Sequence, residues 1–115
     1  MKNFLENSGY KCWKEEKDSF RITSKFQKRI DSNEEFKSYT LCSCNDKLLL
    51  NIEQHKYTIH REEHESFQIF LCHANKQDEW ANIKIYALNR EQIENNLSRY
   101  EVTLLEMWEK FNELS

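Results

Sequence analysis

Residues 89–115 carry the clearest hydrophobic pattern in the chain. Apolar residues recur there at steps of three and four, which places them on one face of an α-helix. Asn89-Arg90-Glu91-Gln92 has the form of a capping box, in which Asn caps the helix and Gln reaches back. The pattern predicts a helix of about 25 residues, roughly 37 Å long. Its apolar face comprises Ile93, Leu97, Tyr100, Leu104, Trp108 and Phe111, widened by Met107 and Leu114.

Alternating apolar and polar residues predict a run of strands before this helix. A short helix over residues 2–8, ended by Gly9 as a C-cap, comes first. Strands over 10–13 and 19–26 then flank a charged turn at 14–18, and a helix over 20–30 is the alternative for the second of them. Further strands are predicted at 39–44, 48–53, 56–59, 67–72 and 83–88, and we expect the strand at 67–72 to lie in the centre of the sheet. One helical turn is predicted to begin at Ser32. Turns are predicted at 45–47 and 74–78.

These elements predict an α+β fold class. Strands that follow one another without intervening helices form a largely antiparallel sheet, here of about five to seven strands. We expect it to pack against the long C-terminal helix, with the short helix at the N-terminus. The 115 residues fit a single α+β domain over 1–115. Because the chain has one glycine and no proline, we expect Asn or Asp wherever a tight turn needs a positive φ.

Composition and charge narrow the classes of function. A chain with 38% hydrophobic and 13% aromatic residues should fold. Its net charge of −3 disfavours a general nucleic-acid binder, and the predicted helix, with six acidic and three basic residues, favours basic partners. The chain shows neither a signal-peptide pattern nor an apolar run long enough for a membrane span, so we expect a cytoplasmic protein with no membrane association.

The segment from His60 to His64 reads HREEH. It resembles the H-x-x-E-H pattern of one class of zinc peptidases, in which both histidines share a helical face and a glutamate acts as base. Members of that class are several times longer and take a third ligand from far downstream. The flanking residues 57–59 and 66–69 are strand-like, so we expect a solvated loop that joins two strands.

The cysteines offer a second candidate chemistry. Cys42 and Cys44 form a C-x-C pair, whereas structural zinc sites use wider spacings, and Cys72 precedes a histidine. We expect reduced thiols that pack in the core, with metal binding by these cysteines and nearby histidines as the alternative. A single glycine rules out glycine-rich phosphate loops, so we expect no enzyme and no cofactor. The basic stretch 25–29 is expected to be a solvated strand end rather than a nucleic-acid contact.

A small acidic α+β domain without a catalytic motif is typical of a protein that binds and neutralises another protein. We expect a bacterial immunity or antitoxin protein that inhibits a toxin such as a nuclease, with a basic protein partner and a monomeric state. Two alternatives are a dimeric acidic chaperone for a secreted effector and a small Cys/His metal-binding protein or enzyme. The predicted partner-binding residues lie in two loops and are Glu62, Glu63, Glu65, Asp78, Glu79 and Trp80.

Overall fold

The computed structural model describes residues 1–29, 49–74 and 80–113. The described elements form one sheet of five strands in the order β1-β2-β3-β4-β5, with antiparallel pairing between all neighbours. This arrangement confirms the predicted α+β fold. In chain order the elements are α1 (Lys2–Asn7), β1 (Lys11–Lys17), β2 (Arg21–Arg29), β3 (Leu49–Ile59), β4 (Glu62–Ala74), β5 (Trp80–Leu88) and α2 (Arg90–Glu113).

One face of the sheet forms the core under the helices. Because side chains alternate between the two faces of a strand, directly opposed residues form rows across the sheet. One such row runs through Cys12, Phe26, Ile52, Ile69 and Ile85, and it packs in the core cluster. Helix α2 packs on β4 and β5, and α1 packs on β1. The buried members of the cluster are Leu5, Tyr10, Phe26, Leu50, Ile52, Phe67, Ile69, Leu71, Leu88, Ile93, Leu97 and Leu104.

The N-terminal end of α2 has the predicted cap. The backbone N–H of Gln92 donates to Asn89 Oδ1, and the backbone N–H of Asn89 donates to Gln92 Oε1, both at 2.8 Å. Each bond satisfies a backbone donor that the helix itself leaves unpaired. Met107 lies at the edge of the apolar face and is 46% exposed, and Leu114 lies outside the described residues.

The short N-terminal helix also ends as predicted. Helix α1 stops at Asn7, and Gly9 follows in the left-handed region with φ 95°. A glycine suits this position because a side chain would strain the backbone there.

The first hairpin differs from the prediction. Residues 14–17, predicted as a turn, continue β1, and the turn falls at Asp18–Phe20 instead. Five of the seven residues of β1 are charged, which an exposed edge strand tolerates because its side chains reach water. The alternative of a helix over 20–30 is wrong, because β2 pairs with strands on both sides.

The turn between β3 and β4 also corrects an expectation. His60 and Arg61 hold positive φ angles of 51° and 67°, where we expected Asn or Asp. The last pair of the β3–β4 hairpin is Ile59 with Glu62, so only His60 and Arg61 connect the two strands. Two-residue hairpin turns of this kind need positive φ at both residues. The paired strands therefore override the preference of the turn residues.

Strand β4 is longer and less central than predicted. It spans Glu62–Ala74, whereas β3 occupies the centre of the five described strands. The predictions for 32–35, 39–44 and 45–47, and for the loop beyond Ala74, concern positions outside the described residues.

Candidate functional site

One end of the sheet extends past the start of α2, and we call it the tip (residues 17–22 and 56–65). Helix α2 begins at Arg90, just after the pairing of Leu88 with Phe67, so the β3–β4 hairpin projects beyond the helix. Three large apolar side chains are exposed on the tip. Phe20 is 76% exposed, Ile59 48% and Ile22 37%.

Asp18 organises the turn that carries Phe20. Its Oδ1 accepts hydrogen bonds from the backbone N–H of Phe20 at 2.9 Å and of Arg21 at 2.7 Å. These two bonds stabilise the charged carboxylate and lower the pKa of Asp18 below its ordinary value. The backbone N–H of Asp18 also donates to the carbonyl of Arg21 at 2.9 Å. Three hydrogen bonds therefore close the turn. They fix the backbone of Phe20 while its side chain is exposed to solvent.

A cleft of about 650 Å³ opens on the helix side of the tip. Ile22 lies opposite Lys56, and Lys56 lies opposite Glu65, so the cleft has an apolar wall and a charged wall. Such a combination can accept an apolar anchor and orient it with polar groups at the rim. Its lining includes Phe20, Ile22, Lys56, Thr58, Glu63 and Arg90.

Glu65 holds the start of α2 against β4. It accepts bonds from Arg90 Nε at 2.8 Å and Nη2 at 2.7 Å, and from Gln54 Nε2 at 2.8 Å. The guanidinium of Arg90, and then the amide of Gln54, hold the pKa of Glu65 below its ordinary value. Of the three carboxylates predicted for partner binding in this segment, Glu65 is thus engaged within the chain, whereas Glu62 and Glu63 are exposed.

The opposite side of the tip carries a stack of three side chains. Arg21 lies opposite Tyr57, and Tyr57 lies opposite His64. The rings of Tyr57 and His64 stack with centroids 5.5 Å apart, and the Arg21 guanidinium carbon lies 5.8 Å from the centre of the Tyr57 ring. These contacts give that side of the tip a flat surface of stacked planar groups.

The HREEH segment joins two strands, as expected, but only His60 and Arg61 form the connection, because β4 already begins at Glu62. It lacks the helix of the zinc peptidases. His60 lies in the turn and His64 lies in β4, so the two histidines do not share a helical face. Within residues 1–29, 49–74 and 80–113, no group of three or more His, Cys, Asp or Glu side chains could hold a metal ion. Cys42 and Cys44 lie outside the described residues, and Cys72 pairs through its backbone with Asn82.

The two predicted partner-binding segments lie at opposite ends of the sheet. Trp80 begins β5 opposite Ala74, the last residue of β4, whereas Glu62 is the first residue of β4. The 13 residues of β4 span roughly 40 Å at about 3.3 Å per residue. Asp78 and Glu79 lie outside the described residues. The described part of the chain therefore does not bring Trp80 together with Glu62 and Glu63.

The acidic character of the chain is concentrated on α2 rather than on the tip. Exposed glutamates at helical steps of three and four form an acidic stripe on α2 (Glu106, Glu109 and Glu113), and Glu91 is exposed near the start of the helix. Charges on the tip nearly cancel once the Glu65–Arg90 pair is set aside. The remaining cations are Lys17, Arg21, Lys56 and Arg61, and the carboxylates are Asp18, Glu62 and Glu63.

Sequence reasoning missed the exposed apolar residues of the tip. It used Phe20 and Ile22 only as the alternating apolar positions of a predicted strand and did not identify them as exposed. The available signal was position, since Phe20 lies in the turn marked by Asp18 and Ser19 and Ile22 lies close behind it.

Comparison of the chain with protein-family models, curated proteins and solved structures finds no match. Neither described helix combines the length and apolar character needed to span a membrane. The tip geometry is therefore the principal guide to function.

Proposed function

We propose that this protein binds another protein through the tip and neutralises it, in the manner of bacterial immunity and antitoxin proteins. The observation that carries the proposal is the exposure of Phe20, which is 76% accessible on a turn closed by Asp18. An aromatic side chain presented by a defined turn loses little conformational freedom on binding, so most of its burial contributes to affinity.

The surroundings of Phe20 fit a protein partner. Ile22 and Ile59 add apolar surface on the two sides of the sheet, and charged side chains surround them. An apolar centre with a charged rim is the usual composition of a protein interface. A single small ligand would contact only one side of the tip, whereas a protein surface can cover both.

A basic partner fits the charge of α2 rather than that of the tip as a whole, where cations slightly outnumber the free carboxylates. The exposed carboxylates of Glu62 and Glu63 adjoin the apolar residues, and the acidic stripe on α2 adds negative potential farther away. Complementary charge raises the rate of encounter, whereas the apolar centre sets the lifetime of the complex. A basic toxin domain such as a nuclease has the required charge.

The test uses the product of the gene adjacent to this one, which the proposal expects to be a basic toxin domain, with affinity measured by titration calorimetry. Phe20→Ala should weaken binding by about 30-fold, which corresponds to about 2 kcal/mol for an interface hot spot. The matched control is Val102→Ala, which removes a side chain 54% exposed on α2 and should leave affinity within about twofold.

Two results would contradict the proposal. Equal affinities for the wild type and Phe20→Ala would remove the tip from the interface. Failure of the wild-type protein to bind that toxin, together with failure to restore growth of cells that produce it, would refute the neutralising role.

A further inference from the structure

The stack on the side of the tip away from α2 (Arg21, Tyr57 and His64) is open at its His64 end. Among the described strands β5 lies next to β4, and their pairing ends where Leu88 meets Phe67, short of the position of His64. The His64 side chain is accordingly 42% exposed. Because one face of the imidazole stacks on Tyr57, the outer face is the one that remains for a further planar group.

A carboxylate lies beside this open end. Glu62 and His64 are two residues apart in β4, so their side chains lie on the same side of the sheet. Glu62 Oε2 is 3.9 Å from His64 Nε2, and the Glu62 side chain is 78% exposed. A ring face next to a free carboxylate matches a guanidinium group, which stacks on aromatic rings and donates paired hydrogen bonds to carboxylates. The stack already contains one such group, since Arg21 lies against Tyr57 on the side away from His64.

We propose that the open end of the stack receives an arginine side chain of the partner protein. The guanidinium would lie over the outer face of His64 and donate to the carboxylate of Glu62. This contact rests on the proposed function, since it takes the partner to be a basic protein, and it identifies the chemistry of one anchor in that interface. It also fits a tip whose cations slightly outnumber its free carboxylates, because a stacked guanidinium needs one ring and one carboxylate rather than a strongly acidic surface.

An arginine fits this place better than a lysine or a nucleobase does. The ammonium group of lysine is a compact, strongly hydrated charge that does not present a flat face to a ring. A nucleobase could stack on His64, but the phosphates that accompany it in a nucleic acid would meet the carboxylate of Glu62. The site should therefore prefer a planar cation.

Protonation of His64 should close this site. The groups that face the imidazole are Tyr57 and, beyond it, Arg21 from the neighbouring strands, and Glu62 from its own strand. A histidine gains its second proton near pH 6.5, and the cationic ring would then repel the guanidinium and pair with Glu62 itself. At about pH 5.5 roughly one tenth of such an imidazole is neutral, so arginine should bind about tenfold more weakly than at about pH 7.5.

Titration of the full chain with two small peptides, followed by NMR, tests the site without the partner itself. Each peptide has blocked ends and a single central arginine or lysine among glycines. The arginine peptide should shift the signals of His64 and Tyr57. It should bind about two- to fivefold more tightly than the lysine peptide, which is the ratio expected of an exposed cation–π contact.

Three variants separate the stack from its surroundings. His64→Asn should abolish the preference for arginine, and Glu62→Gln should weaken binding of the arginine peptide. The matched control is His60→Asn, which removes an imidazole from the adjacent turn, where Asn tolerates the positive φ, and should leave binding unchanged. The remaining signals of the spectrum should show that all three variants are folded.

Several results would overturn the arginine site. They are equal affinities for the two peptides, equal effects of His64→Asn and His60→Asn, an affinity that does not fall with pH, and tighter binding of a short single-stranded oligonucleotide at His64. Absence of any shift by the arginine peptide would also remove the site, while the proposed function would stand if the product of the adjacent gene binds. Binding of the arginine peptide without binding of that product would instead refute the proposed function alone.

Discussion

Replacing Glu101 with alanine should loosen the attachment of α2 to the N-terminal part of the chain. Glu101 Oε2 accepts a hydrogen bond from the Tyr10 hydroxyl at 2.6 Å and another from Lys28 Nζ at 2.7 Å. The Tyr10 side chain is only 1% exposed, and the Glu101 side chain is 15% exposed. One carboxylate therefore joins α2 to β2 and to the segment that follows α1.

The size of the effect follows from what each partner loses. A hydrogen bond to a charged acceptor contributes about 1.5–3 kcal/mol, and a partly exposed ion pair adds up to about 1 kcal/mol. Lys28 retains a bond to the Ser8 carbonyl at 3.2 Å and lies 5.0 Å from the centre of the Tyr10 ring, which reduces its loss. We expect the free energy of unfolding to fall by about 2–3 kcal/mol.

Urea unfolding followed by circular dichroism measures this loss. With a slope of about 1–3 kcal/mol per molar urea, the midpoint should fall by about 0.7–3 M. Glu106→Ala is the matched control, because it removes an exposed glutamate from the same helix and should change stability by less than about 0.5 kcal/mol. If the two variants lose the same amount, the carboxylate does not hold the elements together and the reasoning fails.

Three further predictions concern titration and the hairpin turn. Burial, and then the charge of the neighbouring carboxylate, raise the pKa of Tyr10 well above 10.0. The contribution of the Tyr10 hydroxyl to stability is therefore complete below about pH 10 and is lost as the pH rises further. Tyr10→Phe should abolish this part of the loss of stability at high pH. The pKa of Glu65 in the folded protein lies below 4.5. The contribution of Glu65 to stability is therefore present above pH 4.5 and is lost as the pH falls through its lowered pKa. Arg90→Gln should reduce this acid-induced loss of stability by about 0.5–1 kcal/mol, allowing for solvent screening. The double change His60→Asn and Arg61→Gly should raise the free energy of unfolding by about 1 kcal/mol, because both positions have positive φ.

Stability curves against pH, and urea unfolding at neutral pH, check these three outcomes. The first fails if the wild type and Tyr10→Phe lose stability in parallel at high pH. An unchanged acid limb in Arg90→Gln would refute the second. A destabilised turn variant would show that the side chains of His60 and Arg61 contribute more than the backbone strain costs.

The predictions that succeeded depend on residues close together in the chain. The cap of α2 needs only Asn89 and Gln92, and the helical period of its apolar residues is visible over any two turns. The end of α1 at Gly9 is equally local. By contrast, residues 14–17 form a strand because β2 pairs with them, and their own polar pattern contains no sign of it.

The candidate site was harder to predict because exposure depends on what covers a residue. Glu62 and Glu63 are exposed and lie at the tip, next to exposed apolar residues that the sequence pattern indicated only as parts of strands. Glu65 was grouped with them, but it bonds Arg90, 25 residues farther along the chain. The local sequence pattern could not show which of these three glutamates are exposed and which one is bound within the chain.

The sequence by itself determined the kinds of element, the α+β class and the cap that starts α2, since these follow from periodicity and from contacts within a few residues. Only the tertiary structure decided which apolar side chains remain in water and which glutamates are bound within the chain. Phe20 is exposed because α2 begins over the middle of the sheet and leaves the tip uncovered. Glu101 is held because strand pairing places Lys28 and Tyr10 beneath that helix, although both lie more than seventy residues earlier in the chain.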